Sequence, residues 1–92
     1  MNKNDTLTSL QYEILDKIYF VESYKQILEE VHSPANIIAD EIKNMIVKGW
    51  VQVLVYDENI KDYVKTEIYD TDNLQNYFFL ITKEGLLKHH GR

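Results

Sequence analysis

The chain contains no cysteine. That excludes a disulfide framework and any thiolate metal site, and it fits a reducing compartment. Three glycines and one proline in 92 residues are too few to build a Gly-rich loop that cradles phosphate in backbone N–H groups. Arginine occurs only at Arg92, and the net charge is -5, which argues against a strongly basic nucleic-acid binder. No apolar run approaches the ~20 residues of a membrane span, and the opening MNKNDTLTS lacks the apolar core of a secretory signal. A cytoplasmic protein without membrane contact is therefore expected. Serines, histidines and acids are present, but none fall at the spacing of a nucleophile elbow or a paired-carboxylate site. Neither an enzyme nor a cofactor is expected.

What is there is a folded chain, with 45% apolar and 12% aromatic residues, of a length that makes one domain over 1–92 and not two. Its charge is unevenly spread. Residues 1–32 carry net -3, residues 33–56 net 0, residues 57–73 net -4 and residues 74–92 net +2. An anionic partner must meet the middle of the chain or its C-terminus, because the field elsewhere repels it.

Three helix starts are signalled in the first half. Thr8 with Gln11 reads as a capping box, opening a stripe of Leu10, Ile14, Leu15 and Ile18. Phe20-Val21 breaks that period and reads as a short strand or a buried connection. Ser23 with Gln26 is a second capping box, leading to Ile27, Leu28 and Val31. Ser33 followed by Pro34 is a third start, because proline suits the first helical position. The third helix runs to Lys48 and stops at Gly49, where a left-handed residue is favoured. Its core stripe is Ile38, Ile42 and Met45.

The second half changes period. Trp50–Tyr56, Tyr63–Tyr69 and Tyr77–Ile81 read as strands, with Val51, Val53 and Val55 on one face. Asp57-Glu58-Asn59 and Asp70-Thr71-Asp72-Asn73 are turns. The latter lacks the glycine and terminal glutamate of a calcium loop. Thr82 caps a closing helix through Leu86, Leu87 and Lys88. The seven tyrosines read as core edge or interface. His89-His90 reads as a solvated tail and His32 as local turn chemistry, so no metal site is expected. The fold class is α+β, with three N-terminal helices, a small antiparallel sheet and a short C-terminal helix.

Two stretches carry a recognisable pattern. Ser33-Pro34 … Ile38-x-x-x-Ile42-x-x-Met45-x-x-x-Gly49-x-Val51 resembles the second helix of a winged helix-turn-helix and the turn into its wing. Phe79-x-Ile81-Thr82-x-x-Gly85 is similar to the aromatic-x-Leu-Thr-x-x-Gly signature that follows the wing in MarR-like transcriptional regulators. The resemblance covers roughly residues 8–90. It implies a winged-helix domain that sets its third helix in the major groove of double-stranded DNA and lays a β-hairpin wing on the backbone. It also implies pairing through terminal helices, so a homodimer is expected, with Leu86, Leu87, Tyr12 and Tyr19 supplying apolar surface.

Carried onto this chain, the DNA-facing side of the third helix lies opposite its core stripe. At roughly 100° per residue that side holds Asn36, Asp40, Lys43, Asn44 and Val47. Asn36 and Asn44 suit adenine edges, and Lys43 suits a guanine or a phosphate. Asp40 can accept from cytosine. Pro34 and Ala35 fit close approach to a backbone, and Lys61 and Lys65 are the wing's cations. The wing departs from the family by its acidity. The connection from Tyr56 to Tyr77 is also long, implying either an extended wing or one added strand. The alternative function is a winged-helix protein-interaction module that uses the acidic wing and tyrosine-rich sheet in place of DNA contact.

Overall fold

Thr8 opens the first helix as the capping box requires: its hydroxyl accepts from the Gln11 N–H, and the Gln11 side chain accepts from the Thr8 N–H. The computed structural model describes residues 6–91. Residues 1–5 of the opening stretch and Arg92 of the basic C-terminal segment therefore lie outside it. The elements are α1 (Ser9–Lys17), β1 (Glu22–Ser23), α2 (Tyr24–Glu30), α3 (Ala35–Val47), β2 (Val51–Asp57), β3 (Asp62–Lys65), a 3-10 turn at Leu74–Asn76, β4 (Phe78–Ile81) and α4 (Lys83–His90). The protein is an α+β fold of four helices and a four-stranded antiparallel sheet in the order β1-β4-β2-β3.

The core forms where the apolar stripes of α1, α2 and α3 meet one face of the sheet. Ile14, Leu15, Ile18, Ile27, Ile38, Ile42 and Met45 pack against Val51, Val53, Phe79 and Ile81. The strand register explains the sheet's contribution. Val51 lies opposite Ile81 and Val53 opposite Phe79, so alternation turns these four side chains to the same side. Leu74, in the 3-10 turn, closes the core beside α2.

The end of α3 is locked by a Schellman motif. Gly49 N–H donates to the Ile46 carbonyl and Trp50 N–H to the Met45 carbonyl, with Gly49 at φ +83°. Thr82 then ties three elements together. Its N–H donates to the Trp50 carbonyl, its hydroxyl donates to the Gly49 carbonyl at 2.6 Å, and the same oxygen accepts from the Gly85 N–H to cap α4. Gly85 is required by proximity: a Cβ there would stand 2.3 Å from the Trp50 carbonyl oxygen. The Thr82-x-x-Gly85 pattern is thus a joint between α3, β2 and α4.

Several expectations are corrected. Phe20 is neither strand nor buried; it is 84% exposed. The Ile18 carbonyl is drawn to the Ile81 N–H, and pairing with β4 begins only at Glu22, so the intervening Phe20 turns outward. The second capping box is half made, because the Gln26 side chain bonds Glu30 and leaves the Ser23 backbone. The third helix starts one residue later than expected, with Pro34 as N-cap and no side-chain cap, and ends at Val47. The strand expected over 63–69 is Asp62–Lys65. Beyond Thr66 the chain curls, because the Thr66 hydroxyl exchanges hydrogen bonds with the Ile68 backbone. The long connection holds one strand, β3, paired as a hairpin with β2 and followed by a loop. Leu54 is buried as well as the valines, and Val55 is only half-buried.

Candidate nucleic-acid interface

Helices α2 and α3 are joined by four residues, and the turn is fixed from outside. Val31 ends α2 with its N–H on the Ile27 carbonyl, and the Ser33 N–H donates to the Val31 carbonyl. Glu13 on α1 then holds the turn: its carboxylate accepts from the His32 N–H at 3.1 Å and lies 3.2 Å from His32 Nδ1. His32 is therefore more than local turn chemistry; it anchors the turn to α1. The turn is held against α1, and the α3 that follows it leaves one side open to solvent.

That side is built from the residues the helical period selected. Pro34, Ala35, Asn36, Asp40 and Asn44 are exposed, and Lys43 is half-buried. Ile37 and Val47 are also exposed, Val47 at 85%, so the stripe carries apolar as well as polar groups. The helical period does not select Ile37, because it places that residue at the flank and not opposite Ile38. The N-terminus of α3 has no side-chain cap and no acid in its first turn, so its positive dipole end is not neutralised.

Asn44 is committed within the protein. Its amide donates to Glu41 Oε2 at 3.0 Å, and the same oxygen accepts from Gln11 Nε2 at 2.9 Å. Gln11 is buried and spends both ends of its amide, one on the α1 cap and one on α3. This link sets the rotation of α3 about its axis. Asn36 stands at the open end of the helix, exposed.

The hairpin of β2 and β3 carries the two expected wing cations. Lys61 is in the turn at φ 55°, with its N–H on the Asp57 carbonyl. Lys65 lies 3.4 Å from Glu67, an exposed pair worth little in stability but one that weakens the field the lysine offers. The structure brings Lys61 and Lys65 into one hairpin and Pro34 to Asn44 onto one helix.

The closing helix overturns the expected solvated tail. His89 is 6% exposed. Its ring stacks on Tyr12 at 4.1 Å, its Nδ1 lies 2.6 Å from the Tyr19 hydroxyl, and its Nε2 lies 3.8 Å from Asp16. The Tyr19 hydroxyl also reaches His90 Nε2 at 3.0 Å, so it can donate to one imidazole and accept from the other. Desolvation, then the Asp16 charge, pushes the Tyr19 phenol above its ordinary range. The physical reason for the correction is that α4 extends to His90, bringing this end of the chain onto α1. Tyr12 and Tyr19, expected to offer surface to a second copy, are half-buried and contact His89 within the chain. Leu87 remains exposed and Leu86 packs against the core.

Among the described residues, no three histidine, aspartate or glutamate side chains converge where a metal ion could sit. No helix there is long and apolar enough to cross a membrane. In the 70–73 turn, the Asn73 amide and then the Asp72 N–H hold the Asp70 carboxyl below its usual range.

Comparison with known proteins yields little. No family model matches the chain, and no solved structure matches it. Over 94 aligned positions it is 28% identical to the A-type subunit of DNA gyrase from Borrelia hermsii, a stretch that spans 94% of this chain and 11% of that protein. A likeness of that size assigns no family.

Proposed function

We propose that the chain is a winged-helix DNA-binding module of the transcription-regulator type, with α3 as the groove-reading helix and the β2–β3 hairpin as its wing. One observation carries the reading. The exposed stripe of α3 runs from an uncapped N-terminus through Asn36 and Asp40 to Asn44, which is where a helix in the major groove presents its side chains. The succession α1, β1, α2, α3, β2, β4, with β1 and β2 flanking β4, supports the same reading.

The supply of cations shapes the mode of binding. Lys43 on α3 and Lys61 in the hairpin are the cations this reading uses, whereas Lys65 is shared with Glu67. Asn36 reads bases, while Asn44, held by Glu41, positions the helix. Affinity from so few phosphate contacts calls for two copies on a two-fold site, and the exposed Leu87 is the apolar group that α4 leaves for pairing.

The test is a fluorescence titration of duplex DNA at several salt concentrations. Replacing Lys43 and Lys61 should flatten the slope of log affinity against log salt by about 0.9 for each lysine, without changing the preferred sequence. Asn36→Ala should relax sequence preference and keep the slope, and Asp40→Asn should strengthen non-specific binding. Absence of salt-dependent binding to any duplex at low ionic strength overturns the proposal.

A further inference from the structure

Gln11 lies on the buried side of α1, 7% exposed. A buried amide that leaves one of its ends unpaired loses the hydration it had in water and gains nothing for it. One end is satisfied inside α1, where Oε1 accepts from the Thr8 N–H at 2.9 Å. The other crosses to α3, where Nε2 donates to Glu41 Oε2 at 2.9 Å. Glu41 therefore cannot leave without stranding a buried donor. The same Glu41 oxygen accepts from Asn44 Nδ2 at 3.0 Å. An exposed pair three residues apart on a helix is weak by itself, but here the acceptor is pinned from the buried side. Thr8, Gln11, Glu41 and Asn44 form one relay from the start of α1 to the open face of α3.

The relay pulls Asn44 sideways. At roughly 100° per residue, Glu41 stands about 60° round the helix from the buried Ile38, and Asn44 about 120° round in the same direction. That is the direction of α1, because Gln11 meets Glu41 there. Asn36 and Val47 mark the middle of the open stripe, at about 160–180° from Ile38. Bonding to Glu41 draws the Asn44 amide back toward α1 and away from that middle. Asparagine identifies adenine with both ends of its amide laid along one base edge, and a side chain drawn to the flank is not placed to do so. The carboxylate that holds it also repels the acceptor atoms that purines turn into the major groove.

We infer, resting on the reading of α3 as a groove helix, that Gln11 determines specificity without touching DNA: through Glu41 it keeps Asn44 out of base reading. Gln11→Glu breaks the relay and spares the α1 cap, since a glutamate also serves a capping box, but it sets two carboxylates against each other. Adding Glu41→Gln rebuilds the relay with its polarity reversed. The new amide then donates to the new carboxylate, and the Asn44 amide turns over to accept from it. Gln11→Met cuts the relay without adding charge. The full chain and its variants, each with an intact amide spectrum, are used to select from a pool of randomised duplexes, and affinities are measured for single-base changes of the selected sequence. Wild type and Asn44→Ala should select the same sequence. Gln11→Glu and Gln11→Met should each gain a preference of about fivefold or more for adenine at one further position. Adding Asn44→Ala should remove that gain, and the rebuilt double variant should match wild type. The Asn44 side-chain amide protons should exchange with water more slowly in wild type and the double variant than in Gln11→Glu. A wild-type preference that Asn44→Ala abolishes overturns the inference, as do unchanged preferences in both single Gln11 variants. Failure of wild type to bind any duplex is a different result: it overturns the DNA reading, and this inference with it.

Discussion

Isoleucines meet opposite fates in two regions of this molecule, the core between helices and sheet and the segment around the β2–β3 hairpin. Ile14, Ile18, Ile27 and Ile38 have no exposed surface, whereas Ile60 and Ile68 are 61% and 88% exposed. The residue type is the same, so apolarity alone does not decide burial. The first four belong to a helical layer with apolar positions at the helical period, and that layer faces a sheet, giving each a second surface to pack against. The last two sit in and beyond a hairpin whose strand β3 is exposed along its length, with no helix above it. A two-stranded extension of this kind has little hydrophobic stabilisation of its own and borrows order from β2.

The sharpest way to break this comparison is to truncate one isoleucine in each region. Ile42→Ala, at a site 1% exposed, should cost about 2–5 kcal/mol by lost transfer energy and an unfilled cavity. Ile68→Ser should change stability by less than about 0.5 kcal/mol, as exposed substitutions do. Chemical denaturation midpoints of the two variants measure both, and similar shifts would end the distinction.

A smaller but still large effect is expected at the joint between α3, β2 and α4. Gly85→Ala places a methyl carbon against the Trp50 carbonyl and should destabilise by about 1–3 kcal/mol, since a backbone atom must move to accept it. Thermal unfolding reads the loss. A neutral substitution would show that α4 is not held as closely to the start of β2 as its hydrogen bonds indicate.

The smallest effect lies in the exposed 70–73 turn. Because the Asp70 carboxyl is held below its usual range, the ionised form is favoured by folding. Its contribution is complete above the unfolded value, about 3.9, and is lost as pH falls from there through the lowered native value. The stability difference between wild type and Asp70→Asn should therefore be present near neutral pH and vanish in acid. A difference that grows on acidification contradicts the assignment.

Much of the helical half was legible because its signals are local. The Thr8 box needs only Gln11, three residues on. The left-handed Gly49 needs only the end of an apolar period and the strand that follows. Even the one-residue difference at Pro34 is a matter of which carbonyl accepts the first helical bond. The Asn36–Val47 face was legible for the same reason, since a helix repeats by a fixed angle. What was not legible depends on residues far apart in the chain. Gln11 reads only as the capping partner of Thr8 until Glu41 reaches it, and His89 reads as tail until Tyr19, 70 residues earlier, meets it.

By itself, the sequence determined the four helices, the three strands of the second half, the core stripe of α3 and the charge of each segment, because propensity, capping and periodicity act over a few residues; the two-residue β1 that makes the sheet four-stranded needs β4 to pair with. Only the tertiary structure decided that Phe20 faces outward, that β3 stops at Lys65, that Gly85 tolerates no side chain, and that the other face of the sheet, which carries Tyr56 and Tyr63, is left uncovered. Those outcomes follow from which surfaces pack on one another. In a chain this small there are enough helices to cover one face of the sheet and none for the other.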